Sequence, residues 1–251
     1  MKIGSVPYLN ARPLVAWFED VPTPEVEISY ATPARLVEQL LAGAVDVAMV
    51  STYALFEHPE LHLLPGLGVT VAGAAWSVRL LSRTPITEMR TLALDAHSRS
   101  TTVLARIVLA DRYNIRPTCL SLPPDRDAML ARADAAVLIG DIGLAVDAQG
   151  LIDLDLGAEW WALTGLPFYY AGWIARDRAA LTAAAPLLNT ACAYGLAHLE
   201  ALAHREACRL HLPYDRCYRY LAEIMHYQTG DAEVAGLQEF RRRAAQLEMV
   251  A

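Results

Sequence analysis

Lysine is nearly absent from this chain: Lys2 is the only one among 21 basic residues. Any fixed positive charge is therefore arginine, whose planar fork grips carboxylates through two parallel bonds. Acidic residues outnumber basic ones. A net charge of −7 and a pI near 5.5 make the chain a poor candidate for nucleic acid or an anionic membrane, since both need a basic face. Cysteine is scarce too. Cys119, Cys192, Cys208 and Cys217 show no CxxC spacing and are too few for a disulfide scaffold, so they read as free thiols in a reducing compartment. Apolar runs are short, and the Ala- and Leu-rich stretch from Ala183 to Ala203 is interrupted by Asn189, His198 and Glu200, which reads as soluble helix. The opening MKIGSVPYLN enters a strand-like run without the apolar core of a signal peptide, so the expected location is the cytoplasm. Neither a P-loop nor a GxGxxG stretch is present, which removes support for nucleotide binding. His58 and His62 stand four apart, but Pro59 between them breaks the helix a metal pair would need.

What the chain does have is length and apolar residues: 251 residues, 55% of them hydrophobic, enough for one large domain or two lobes with separate cores. Strand-like runs alternate with helical spacing. Strands are expected over 2–6, 26–30, 45–50, 75–83, 91–95, 118–122 and 134–139. Helices are expected over 11–18, 32–42, 100–113, 125–132 and 141–148, with a loop at 65–73 and helix almost throughout after Asp177. This alternation argues for an α/β fold with mainly parallel sheets. One internal echo stands out: LLAGAVDVAMVS (40–51) and MLARADAAVLIG (129–140) align Asp46 with Asp134, Ala48 with Ala136 and Val50 with Leu138. Each reads as helix end, tight turn, buried strand and a small residue opening a new helix. Two similar lobes facing each other across a cleft would follow. Their boundaries are read as 1–83 plus 169–251 for the first lobe and 84–168 for the second, with hinge strands near 77–83 and 168–175. Ligands of open α/β sheets sit beyond the carboxyl ends of the strands.

The densest cluster of candidate chemistry is LDAHSRSTTVL (Leu94 to Leu104). Ser98, Ser100, Thr101 and Thr102, with Arg99 among them, lie between an apolar strand and an apolar helix. One hydroxyl suffices to cap a helix, and four are present. Free N–H groups and the helix dipole at that junction favour an anion. The stretch therefore reads as a strand–turn–helix anion cradle. Asn10, Ser51 and Asp141 stand at other strand ends, where each reads equally as a helix cap.

These segments resemble the chorismate dehydratases of the futalosine route to menaquinone, a family with the two-lobed fold of type II periplasmic binding proteins. The resemblance rests on VPYLNARPL (Val6 to Leu14), GAVDVAMVSTYAL (Gly43 to Leu55), LDAHSRSTTVL, AAVLIGDIGL (Ala135 to Leu144) and TGLPFYYAGW (Thr164 to Trp173), in order along the chain to about residue 176. It departs at STT, where a TS pair is expected, and the helical tail carries little signature. It implies that chorismate loses water to give 3-[(1-carboxyvinyl)oxy]benzoate, with no metal, nicotinamide or flavin. The implied site is an interlobe cleft. Asn10 would be the catalytic contact to the reacting ring. Tyr8, Arg12, Ser51, Thr52, Ser77, Ser98, Arg99, Ser100, Thr101, Gly140 and Asp141 would bind substrate. His97 beside the cradle reads as a surface residue. The sister dihydroxynaphthoate synthases use a histidine in the second lobe, whereas the corresponding strand end here is Ile139-Gly140-Asp141. That favours the dehydratase and permits a proton acceptor belonging to the substrate, its enolpyruvyl carboxylate. A small molecule is the expected partner, with neither nucleic acid nor membrane, and a homodimer is left open. A small-carboxylate binding protein is the alternative of a different class.

Overall fold

Two βαβαβ runs, each closed by a strand arriving from elsewhere in the chain, make up the architecture of this computed structural model, which describes residues 1–95 and 98–249. His97 lies outside the described residues. The first run comprises β1 (Lys2–Ser5), α1 (Arg12–Asp20), β2 (Glu27–Tyr30), α2 (Pro33–Leu41) and β3 (Val47–Ser51), followed by α3 (Ala54–Glu57) and β4 (His62–Val71). After β5 (Arg79–Ser82) the second run comprises β6 (Thr91–Asp95), α4 (Arg99–Tyr113), β7 (Thr118–Leu122), α5 (Arg126–Leu130) and β8 (Ala135–Leu138). Then come α6 (Gly140–Ala145), β9 (Ile152–Asp155), α7 (Leu156–Thr164) and β10 (Phe168–Ala175). The tail holds α8 (Arg178–Ala197), α9 (Leu199–Leu210), α10 (Tyr214–Arg219), a π turn at Tyr220–Ile224, β11 (His226–Gln228) and α11 (Asp231–Met249).

Among the described residues the sheets are six-stranded, β11-β4-β10-β3-β1-β2, and five-stranded, β7-β6-β8-β5-β9. The same pattern is present in both. β1 pairs parallel with β2 and β3, and β6 pairs parallel with β7 and β8. β10 joins β3 antiparallel, and β5 joins β8 antiparallel. The expectation of mainly parallel sheets thus holds only for the βαβαβ half of each. A strand that enters without a crossover helix from its neighbour is free to run the other way.

The sequence echo is a repeat of structure. β3 and β8 hold equivalent places, and Asp46 and Asp134 do the same work before them. Asp46 accepts the Lys2 N–H at 2.7 Å, fastening the start of β1. Asp134 accepts the N–H groups of Arg90 (3.0 Å) and Thr91 (2.9 Å) and the Thr91 hydroxyl (2.9 Å), fastening the start of β6. These bonds, the Arg90 N–H foremost, hold the Asp134 carboxyl below its ordinary value. The cores match as well. Leu36 and Leu40 of α2 cover Ala48 and Val50 in one; Met129 and Leu130 of α5 cover Ala136 and Leu138 in the other.

The two compact units are Met1–Thr70 with Tyr169–Val234, and Val71–Phe168 with Ala235–Ala251. The sequence reading differs at two places. Residues 77–83 were expected at a hinge, but β5 pairs on both sides, with β8 and β9, inside the second sheet. The chain leaves the first unit at Thr70. The tail was expected wholly in the first lobe, yet most of α11 belongs to the second unit. There Phe240 packs edge-on against Trp160 and Phe168, at ring-centroid distances of 6.0 and 4.8 Å. Gly236 meets Pro167 and Arg243 pairs with Asp111.

The 65–73 loop is also corrected. Pro65 and Gly66 are exposed, but Leu64, Leu67, Val69 and Val71 are buried in β4. Gly68 lies against the ring of Tyr169, whose hydroxyl donates to the Leu67 carbonyl at 2.8 Å. Turn-type residues there serve a close approach rather than a turn.

Candidate active site

The parallel register brings the candidate residues of each unit to one sheet edge. In the first unit Ile3 pairs with Val47 and Gly4 with Ala48, so β1 and β3 end side by side. The turn carrying Tyr8 and Asn10 follows β1, and Ser51 closes β3. In the second unit Leu92, Ala93 and Leu94 pair with Ala135, Ala136 and Val137. The cradle at 98–101 and the Gly140-Asp141 turn therefore open at the same edge. Arg79 pairs with Leu138, which sets Ser77, just ahead of β5, beside them.

Asn10 is not the helix cap the sequence suggested. It sits inside a short 3-10 turn (Leu9–Ala11), and the backbone of Ala11 precedes α1 with no side-chain cap. The half-exposed Asn10 carboxamide makes no hydrogen bond among the described residues. A carboxamide has two donors and an acceptor to offer, and here all remain available. Tyr8 is half-buried against the apolar core of its unit. Ser51 accepts the Tyr53 N–H at 3.2 Å, a local turn bond that still leaves its hydroxyl proton to donate.

Two first-unit expectations are overturned. Thr52 is wholly buried and its hydroxyl donates to the Tyr169 carbonyl at 2.6 Å. That bond ties β3 to β10, so the hydroxyl is not available to a ligand. Arg12 is buried, with both terminal nitrogens on the Glu19 carboxylate. Its Nε lies 3.1 Å from Glu206, which is only 2% exposed and also meets Arg209 at 2.6 Å. This buried charge is compensated by α1 and α9 and is not aimed at a substrate. Such a network is costly to break from one side.

In the second unit the hydroxyl cluster stands at the junction of β6 and α4. Ser98 is the N-cap of the fifteen-residue α4, yet its side chain makes no capping bond. Ser98, Ser100 and Thr101 are 8%, 5% and 3% exposed, and none of their hydroxyls bonds within the described residues. Buried hydroxyls ordinarily find partners. Three hydroxyls unspent among the described residues stand beside the free N–H groups that open a long helix, the kind of junction that favours an anion. Thr102 is different, because its hydroxyl donates back to the Ser98 carbonyl at 2.7 Å. Arg99, the expected charge, is exposed while its neighbours on either side are buried, because the helical turn points it away from them.

Backbone contacts fix the rest of this edge. Gly140 opens α6 with φ +58, a conformation that suits glycine. Ile139, not Asp141, is the N-cap. A Cβ on Gly143 would stand 2.8 Å from the Leu138 carbonyl and closer still to that of Ser77. The strap before β5 is held from the other side by Asp155. Its carboxylate accepts the N–H groups of Ala75 (2.9 Å) and Trp76 (2.7 Å) while also capping α7 through Gly157 and Ala158. Trp76 adopts φ +60 there. Sequence reasoning missed three residues. Asp155 was not singled out. Asp95, buried at the foot of the cradle, was passed over inside the motif itself. Tyr170 holds the place in the first sheet that Ser77 holds in the second, and its carbonyl accepts the Thr52 N–H at 3.2 Å. The Asp46/Asp134 echo, carried one strand further, would have found it.

Comparison with known proteins gives the family and the fold. The family model described as menaquinone biosynthesis matches residues 1–246. A curated relative, the chorismate dehydratase of Thermus thermophilus, is 28% identical over 232 residues, spanning 83% of this chain and 82% of that one. Among solved structures, protein AF1704 from Archaeoglobus fulgidus superposes with a TM-score of 0.80 at 16% identity, covering 99% of this chain and 97% of that one. The Candida albicans CA3427 product, described as having the generic periplasmic binding protein fold, gives 0.68 at 11% identity over 98% and 90%. The alkanesulfonate-binding protein SsuA from Xanthomonas axonopodis pv. citri gives 0.69 at 18% over 100% and 92%. The fold is that of the periplasmic binding proteins.

Proposed function

Because the chain belongs to the menaquinone-biosynthesis family, we propose that it is a chorismate dehydratase, a carbon–oxygen lyase. It would remove water from chorismate to give 3-[(1-carboxyvinyl)oxy]benzoate. The observation that carries this reading is the cradle: three nearly buried hydroxyls, unspent among the described residues, at the start of a long helix, suited to a carboxylate, in a chain of this family. The named Thermus relative supports the choice of substrate.

The chemistry is an elimination with internal balance. The C3–H bond breaks, its electron pair forms the new ring double bond, and the C4–O bond breaks. The departing hydroxide takes up a proton and leaves as water. No electrons pass to an outside acceptor, so neither nicotinamide nor flavin is called for. Ser98, Ser100 and Thr101, with the first N–H groups of α4, hold a substrate carboxylate. Ser51 and Ser77 offer further hydroxyl contacts. The Asn10 carboxamide donates to the leaving C4 hydroxyl. The substrate's enolpyruvyl carboxylate takes the C3 proton, since the ether oxygen tethers it beside that carbon. Such tethering supplies a large effective concentration without a protein base. The protein contributes mainly by fixing the reactive conformer and by electrostatic preorganisation.

The test is direct. Pure protein with chorismate loses the diene absorbance and accumulates a product lighter by one water. Binding without turnover would return the small-carboxylate binding reading. Asn10→Ala should fold normally and lose turnover by about 10²-fold or more, the scale of a lost transition-state donor. Full turnover in that variant would take Asn10 out of the mechanism.

A further inference from the structure

We propose that the second unit carries a separate receptor for a small carboxylate with an apolar body, independent of the dehydratase reading. A cavity of about 310 Å³ opens between the first turns of α4, the segment leading into β7, and the end of α11. That volume is at the lower end of the range for small-molecule sites. Leu94, Ile115 and Leu247 give it apolar walls, and Arg106 and Arg116 give it two guanidinium groups.

The arginines are what make it a site. Some arginines of this unit are spent: Arg112 pairs with Glu159 at 2.6 Å, Arg79 with Asp153, and Arg243 with both Glu239 and Asp111. Arg106 and Arg116 pair with no carboxylate among the described residues. In a chain of net charge −7, two guanidinium groups with no carboxylate partner among the described residues share one apolar cavity. Guanidinium forks match a carboxylate in shape and charge. Arg106 is half-buried, so its field there is less screened than at the open surface.

This cavity is not the cradle. Ser98, Ser100 and Thr101 do not line it, and Thr102, which does, spends its hydroxyl on the Ser98 carbonyl. It also holds its own reporter. Cys119 lines the cavity, its thiol within the field of Arg106 and 3.6 Å from the Pro117 carbonyl. Cys192 and Cys217 are buried, and Cys208 is the other exposed thiol.

In a Cys208→Ser background, Cys119 is the one exposed thiol, and its alkylation by neutral iodoacetamide reads occupancy. Benzoate should slow alkylation in a saturable way, about tenfold at ten times its Kd. The protection should vanish in Arg106→Gln and in Arg116→Gln, each compared with and without benzoate. Inorganic phosphate, lacking the apolar body, and benzyl alcohol, lacking the charge, should protect poorly. A rate unmoved by benzoate, protection that survives both arginine variants, or equal protection by phosphate would each overturn the proposal. None of these readouts depends on chorismate turnover, so failure here and failure of the dehydratase assay are separate results.

Discussion

Hydroxyls that hold a ligand and hydroxyls that hold the fold should respond oppositely to removal, which makes the proposed cradle testable. Ser100 and Thr101 are nearly buried but bond to nothing among the described residues. Ser100→Ala and Thr101→Val therefore remove no internal bond, and unfolding stability should stay within about 0.5 kcal/mol. Each hydroxyl bonded to a substrate carboxylate is worth about 1.5–3 kcal/mol, so kcat/KM should fall about 10- to 150-fold per variant. Thr52 is the counterpart. Its hydroxyl donates to the Tyr169 carbonyl at 2.6 Å, and Thr52→Val leaves that buried carbonyl without its donor. The cost should be about 1–3 kcal/mol of stability. Urea unfolding of all three variants, with chorismate turnover for the two cradle variants, separates the cases. The cradle would be refuted if Ser100→Ala and Thr101→Val lost as much stability as Thr52→Val while keeping full kcat/KM. That outcome would mean the hydroxyls serve the fold.

The other predictions concern the scaffold around the edge. Gly143→Ala places a methyl against the carbonyls of Leu138 and Ser77, both backbone, so it should cost about 3 kcal/mol and lower the thermal midpoint. Glu239, bonded by Arg242 first and then Arg243, has its carboxyl held down to about 2 from an ordinary 4.5. A depressed acid contributes fully above its unfolded pKa and loses that contribution as pH falls through the folded one. Glu239→Gln should thus lose about 1 kcal/mol at pH 7, allowing for solvent screening, and the gap from wild type should close between pH 4.5 and 2. A gap that persists at pH 2 in urea titrations would put the effect in packing rather than charge.

The repeat shows how far local sequence reaches. β6 and β7 lie at the expected residues, Thr91–Asp95 and Thr118–Leu122, because their apolar runs are short and bounded by turn residues. β9 and β11 were missed. Ile152–Asp155 alternates weakly at a sheet edge, and His226–Gln228 is three residues inside a helical tail. Strands that short are specified by the partner they join, which no local pattern records.

By itself the sequence determined the α/β alternation, the doubled βαβαβ unit and the hydroxyl cluster at the start of α4. Periodicity, turn chemistry and hydroxyl density are local properties, and each survives in any window that contains it. Only the tertiary structure decided which polar groups are spent. Arg12 and Thr52 looked as available as Asn10 and Ser100. Arg12 is claimed by Glu19 and Glu206, seven and 194 positions away, and Thr52 by the Tyr169 carbonyl, 117 positions away. A hydrogen bond needs its partner within about 3 Å, and sequence separation says nothing about that distance.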